Sequence, residues 1–215
     1  MIDREPVNIM GVIAFPNPNK DERVIRFIDS EYHTLFTIKD GESIVITRFD
    51  GEKMVFPCKY IDDCHVCIGN SAYHICEFAE MQERNGNTYV PSAPKISGEI
   101  GTYEIYQIPA TADVDYYFRP YAEAKGKLQN ADYQRSYAGM FAKGNSLEDL
   151  WAKHNRDSRP FAHRMRSMSV SDIVVLTQGG KKTAYYADTI GFKEVPEFLA
   201  QQRVQKKHKE RGEAR

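Results

Sequence analysis

Ser169-Val170-Ser171-Asp172-Ile173-Val174-Val175-Leu176 leads into Gly179-Gly180, and Lys182-Thr183-Ala184-Tyr185-Tyr186-Ala187-Asp188 returns from it. Paired glycines accept the positive φ angles of a tight loop, so the stretch predicts a β-hairpin. Val170 and the run Ile173 to Leu176 are nearly all apolar, which predicts a central strand covered on both faces. Working outward, Thr102 to Ile108 is β-branched and aromatic enough for another strand. Asn145 or Ser146 caps a helix through Leu147, Leu150, Trp151 and His154, with Glu148 and Asp149 in its first turn, where the helix dipole favours negative charge. Tyr116 to Gly126 reads as a strand end followed by a short helix after Pro120, Ala131 to Met140 fits strand or helix, and Pro196 suits the first turn of a last helix.

The first half carries its own pattern. Short β-branched or aromatic runs, Val24 to Ile28, His33 to Ile38, Ser43 to Phe49 and Glu52 to Phe56, are punctuated by Asp40-Gly41 and Asp50-Gly51, which predicts an antiparallel meander. His65 to Ile68 is a further strand closed by Gly69-Asn70. A helix is expected from an N-cap at Ser71 to about Asn85, and Thr88 to Val90 returns as a strand. Pro91, Ser92, Pro94, Ser97, Gly98 and Gly101 make the least regular interior stretch.

A chain of 215 residues exceeds one typical domain and is short for two large ones. The expected fold is therefore α+β in two small modules: an N-terminal antiparallel meander with one helix, and a C-terminal α+β domain with a central β-hairpin and helices. The boundaries read as an extension over 1–23, a first module over 24–91, a linker over 92–101, a second module over 102–200 and a basic tail over 201–215.

Twenty-nine Lys and Arg against thirty Asp and Glu leave no global field toward nucleic acid or an anionic membrane. The tail departs from that balance, with six basic residues and two acidic ones between Arg203 and Arg215. No apolar run approaches the roughly 20 residues that span a bilayer, and no basic segment followed by an apolar one opens the sequence. The expectation is a cytoplasmic protein without a membrane partner. Cys58, Cys64, Cys67 and Cys76 then read as thiols or metal ligands rather than disulfides.

The hairpin, with Gly191-Phe192-Lys193-Glu194-Val195 after it, resembles the end of a YodL-like domain. Thr102-Tyr103-Glu104-Ile105-Tyr106-Gln107 resembles that family's opening strand and Ser146-Leu147-Glu148-Asp149-Leu150 its middle helix, so the likeness covers about 102–198. Leu35-Phe36-Thr37, Asp40-Gly41, Cys58-Lys59-Tyr60-Ile61-Asp62-Asp63, and the stretch from Tyr73 through Glu80 to Gly86 resemble small domains associated with large polyvalent proteins of bacterial mobile elements, over about 24–91. Together the resemblances imply accessory cargo of conjugative elements in Gram-positive gut bacteria. They imply no catalytic residue.

Cys64-x-x-Cys67 has the spacing at which two thiolates approach one tetrahedral zinc ion, with Cys58, His74 or Cys76 available to complete four ligands. The competing reading is unreactive thiols beside a hydrogen-bonded histidine, since no second C-x-x-C is present and His74 and Cys76, placed in one helix, would diverge. His74 and Glu77 stand one helical turn apart, as an acid/base pair would, with no accompanying nucleophile motif. Ser169, Ser171, Asp172, Asp188 and His163 supply the residue types of a triad, but no G-x-S-x-G places a nucleophile on an exposed turn. Ser hydroxyls at a strand entry bond to nearby backbone, and Asp172 there is expected to accept hydrogen bonds from backbone or Lys/Arg. Gly179-Gly180-Lys181-Lys182-Thr183 leads into a strand, which removes the helix dipole a phosphate loop needs.

The second module is rich in Tyr and Arg, the types enriched where proteins meet. Tyr117, Arg119, Tyr121, Arg164 and Arg166 are the candidate interaction surface. The expected function is a non-enzymatic module that binds a protein partner. The alternative is a nucleic-acid-binding or counter-defence factor that uses stacking aromatics and Lys206, Lys207, Lys209 and Arg211 of the tail. A small enzyme or zinc protein centred on the Cys/His segment is the third reading; otherwise no cofactor is expected.

Overall fold

A computed structural model describes residues 23–93 and 100–202, together with the backbone of two paired strands, β1 (Val7–Ile9) and β2 (Val12–Ala14). The basic tail beyond 202 and most of the extension before 23 lie outside the described residues. The first half holds β3 (Val24–Ile28), β4 (Thr34–Lys39), β5 (Ser43–Thr47), β6 (Lys53–Tyr60), β7 (His65–Ile68), β8 (Ser71–His74), α1 (Ile75–Arg84) and β9 (Thr88–Pro91). The second holds β10 (Gly101–Gln107), α2 (Tyr121–Ala124), a 3-10 turn at Asn130–Asp132, β11 (Gln134–Phe141), α3 (Leu147–His154), β12 (Ile173–Gln178), β13 (Lys181–Ala187), β14 (Phe192–Glu194) and a last helical segment over 196–202. The fold is α+β, and every strand pairing among the described residues is antiparallel.

The second sheet runs β11-β10-β12-β13-β14, with β12 at its centre. Gly179 and Gly180 both have positive φ, 53° and 76°, and close the β12–β13 hairpin in the two-residue geometry the sequence predicts. The apolar run of β12 serves two cores at once. Ile173 and Val175 face a cluster with Tyr186, Val195 and Phe198, while Val174 and Leu176 face Tyr103, Tyr137, Leu150 and Phe161. Ser146 caps α3 with a full capping box, its Oγ accepting from Asp149 N at 3.1 Å while the Asp149 carboxylate accepts from Ser146 N at 2.8 Å.

Two elements of the first half differ from the sequence reading. Asp50-Gly51 closes the β5–β6 hairpin, but Asp40-Gly41 does not fold β5 back on β4. Gly41 N and Cys58 O are instead bonded at 2.8 Å, and Tyr60 N donates to the Asp40 carboxylate, so the turn hands the chain from the β3–β4 pair to the first five-stranded sheet, ordered β8-β7-β6-β5-β9. The helix expected from Ser71 begins at Ile75. Gly69, at φ 62°, and Asn70 close a further hairpin in which Ser71 pairs with Ile68 and Tyr73 with Val66, so 71–74 is strand and His74 is the helix cap. Ala131 to Met140, read two ways, becomes the 3-10 turn and most of β11.

The two sheets do not stand apart. Met140 and Ala142, on β11 and just after it, are buried in the first core with Phe27, Phe78 and Tyr89. Met140 Sδ accepts from Tyr89 N at 3.4 Å, Tyr137 donates to Glu83 O at 3.3 Å, and Arg135 donates to Phe49 O with its guanidinium over the Phe49 ring. Lys153 pairs with Glu83 and Arg156 with Glu31, again across this seam.

Candidate interaction site

The loop into β12 and the loop before α2 meet where β12 enters its sheet. Ser171 is fully buried with φ 80°, and its Oγ accepts from Phe118 N at 3.1 Å, where φ is 59°. The left-handed region costs an ordinary L residue roughly 1–2 kcal/mol, so two such residues tied together need a surrounding network that holds them. Tyr133 supplies part of it by donating to Ser171 O at 3.0 Å. Asp172, also fully buried, accepts from Gln107 Nε2 at 2.8 Å, Ser169 N at 2.9 Å and both terminal nitrogens of Arg166. Burial pushes its carboxyl above the usual carboxylate range, while Arg166, Gln107 and Ser169 N draw it back down.

Anchored at Asp172, the Arg166 guanidinium lies 5.0 Å from the Phe118 ring centroid and 5.7 Å from that of Tyr117. Tyr117 and Phe118 stack at 3.9 Å with 21° between their planes. Phe118 remains 49% exposed, which is unusual for a large apolar side chain on a constrained backbone. The result is a ledge of two rings and one guanidinium whose geometry is fixed from beneath, so little conformational entropy remains to be lost when something docks on it.

The structure thus brings Tyr117 and Arg166 together and places the other surface candidates around or away from them. Arg119 is exposed beside Glu123 at 4.0 Å, and its carbonyl accepts from Tyr186 at 2.7 Å. Tyr121 donates to Glu197 at 3.2 Å and packs 5.4 Å from Tyr186. Arg164 belongs to the seam, over Phe161 at 5.6 Å, in an open groove of about 360 Å³ shared with Arg48, Phe49, Asp50, Asn85 and His163. Phe118 is absent from the sequence-predicted set because nothing local announces its left-handed backbone. Asp172 accepts from Arg and backbone as its position predicts.

In the Cys/His segment, Cys58 is opposite Ile68 and faces the core, where burial pushes its thiol up to about 11. Cys67, next along β7, points to the other face and donates to Gly69 O at 3.5 Å. Among the described residues no three His, Cys, Asp or Glu side chains converge as metal ligands, so Cys58, Cys64, Cys67 and His74 are not gathered into one site. His74, as the extended cap of α1 (φ −68°, ψ 136°), instead turns its ring onto Cys76, with Nδ1 2.7 Å from Sγ. Placing both residues inside one helix made them diverge; a cap residue outside the helix does not have that constraint.

A family model for the YodL-like domain matches residues 102–198. The matched stretch of the second half is similar to that domain. The matched residues include every member of the ledge and of the network beneath it, from Gln107 to Asp172. No curated protein and no solved structure matches the chain. Among the described residues no helix is long and apolar enough to cross a membrane. Lys206, Lys207, Lys209 and Arg211 lie outside the described residues.

Proposed function

We propose that the chain is a non-enzymatic interaction module that binds a protein partner through the Tyr117, Phe118 and Arg166 ledge of its YodL-like domain. The observation that carries this reading is Phe118: a half-exposed aromatic on a left-handed backbone, stacked on Tyr117 and braced by an arginine that a buried carboxylate holds. Backbone strain persists where the surrounding structure over-determines it, and such sites concentrate at binding and switch positions. Tyr, Phe and Arg are also the side chains that anchor interfaces, because they supply large contact area with few rotors to freeze. The setting that goes with this reading is the cytoplasm of a bacterium carrying a mobile element, with a host or element protein as the partner.

The test is a pull-down from a lysate of the source organism with native protein and a Tyr117→Ser, Phe118→Ser double variant as parallel baits. A protein recovered by the native bait and lost with the variant supports the proposal; equal recovery by both refutes the ledge. Binding of single-stranded DNA or RNA at low salt, lost in the same variant, would reassign the ledge to base stacking.

A further inference from the structure

Away from the ledge, the side chains of Cys76, His74, His65 and Asp62 form a chain of contacts at the start of α1. Cys76 is partly exposed and its Sγ lies 2.7 Å from His74 Nδ1, which also accepts from Cys76 N at 3.4 Å. The His74 ring is met edge-on by His65 at 5.1 Å between centroids, and His65 Nδ1 is held by the Asp62 carboxylate at 2.8 Å. Backbone N–H groups of Cys64 and His65, together with the His65 ring, hold that carboxylate below the usual range. Tyr32, on the turn between β3 and β4, feels the same sulfur. The charge of the Cys76 sulfur pushes its phenol above the usual range. The turn is fixed by Asp29, which accepts from Glu31 N and His33 N at 2.9 and 2.8 Å.

A nucleophile with a base in contact, and the base oriented by a further side chain, is the arrangement that activates cysteine. None of the other three thiols shares it. Cys58 is buried, Cys67 donates to a carbonyl, and neither Cys64 nor Cys67 is paired with an imidazole among the described residues.

We propose that Cys76 is the reactive thiol of this chain, with His74 as its general base, and that it takes small soft electrophiles into covalent linkage. In the step, the S–H bond breaks and the proton passes to His74 Nδ1. The sulfur electron pair forms a bond to the electrophilic carbon, and the leaving group departs with its own bonding pair; no oxidant or reductant enters.

Limited iodoacetamide at neutral pH, with iodide as the leaving group and mass spectrometry of the cysteine peptides as the readout, tests this on the intact chain. Cys76 is expected to be alkylated at least about tenfold faster than Cys64 and Cys67, a conservative figure for general-base assistance. His74→Asn keeps a competent helix cap while removing the base, and should bring Cys76 down to the rate of the other two. Cys58 reports folding in the same spectra, since it stays unlabelled while the core is intact. A native Cys76 that reacts no faster than Cys64 and Cys67 overturns the proposal whatever the variant does. So does an unchanged Cys76 rate in His74→Asn with Cys58 still protected.

Discussion

Phe118 allows the strain beneath the ledge to be measured apart from the ring it carries. Replacing it by Ala or by Gly removes the same contacts, the 3.9 Å stack on Tyr117 and the 5.0 Å approach of Arg166. Those contacts are worth roughly 1–2 kcal/mol together at an exposed site. The two variants differ in the backbone alone. At φ 59° Ala retains the left-handed cost of roughly 1–2 kcal/mol and Gly does not. Against that, Gly gives the unfolded chain more freedom, which offsets roughly 0.4–1 kcal/mol. Phe118→Gly should therefore be about 1 kcal/mol more stable than Phe118→Ala, the reverse of the order at an ordinary position. Urea unfolding followed by the single tryptophan, Trp151 on α3, reads this directly. Equal midpoints, or a more stable Ala variant, would show that residue 118 is not held left-handed and would remove the main support for a preorganised ledge.

Two further outcomes follow from the packing and the charges. At Gly139 an added Cβ would stand 2.7 Å from the Tyr137 ring and 3.1 Å from that of Tyr103, both buried and tethered by their hydroxyls to Glu83 O and His154 Nε2. Gly139→Ala should cost roughly 1–3 kcal/mol, and because Tyr137 bridges the seam, Trp151 fluorescence and far-UV circular dichroism should shift together in denaturant; separate transitions would contradict a shared core. Burial, with Lys153, Arg156 and Arg159 nearby, holds the His154 imidazole down to about 3, whereas in the unfolded chain it protonates near 6.5. Acid therefore favours the unfolded state through that window, and stability should fall by up to ~1.4 kcal/mol per pH unit below 6.5, a slope absent from His154→Gln in pH-dependent urea titrations.

What could be read from the sequence was whatever the chain decides locally. The Gly179-Gly180 hairpin, the Ser146 cap and the central position of β12 rest on turn chemistry and on an apolar run too continuous for a strand with one wet face. Asp40-Gly41 misleads because a turn residue sets the bend but not the partner; β5 pairs with β6 across the next hairpin and with β9, which is distant in sequence. The cap of α1 slips by three residues for a similar reason, since Ser71 is as good a cap in isolation as His74 is in the folded sheet. Of the candidate surface, Tyr117 and Arg166 are the pair the fold sets side by side. Phe118 joins them through Arg166, which Asp172 holds, and Arg164 stands instead over Phe161; residue type announces neither contact.

The central claim, that the ledge is where a partner docks, is tested most directly by the affinity of the recovered partner for native protein and for Phe118→Gly. Val55→Ser, at an exposed apolar position of the first sheet, serves as the control. An interface anchor contributes about 2 kcal/mol or more, so Phe118→Gly should weaken binding by about thirtyfold while Val55→Ser leaves it unchanged. A Phe118→Gly variant that binds as tightly as the native chain would contradict the account.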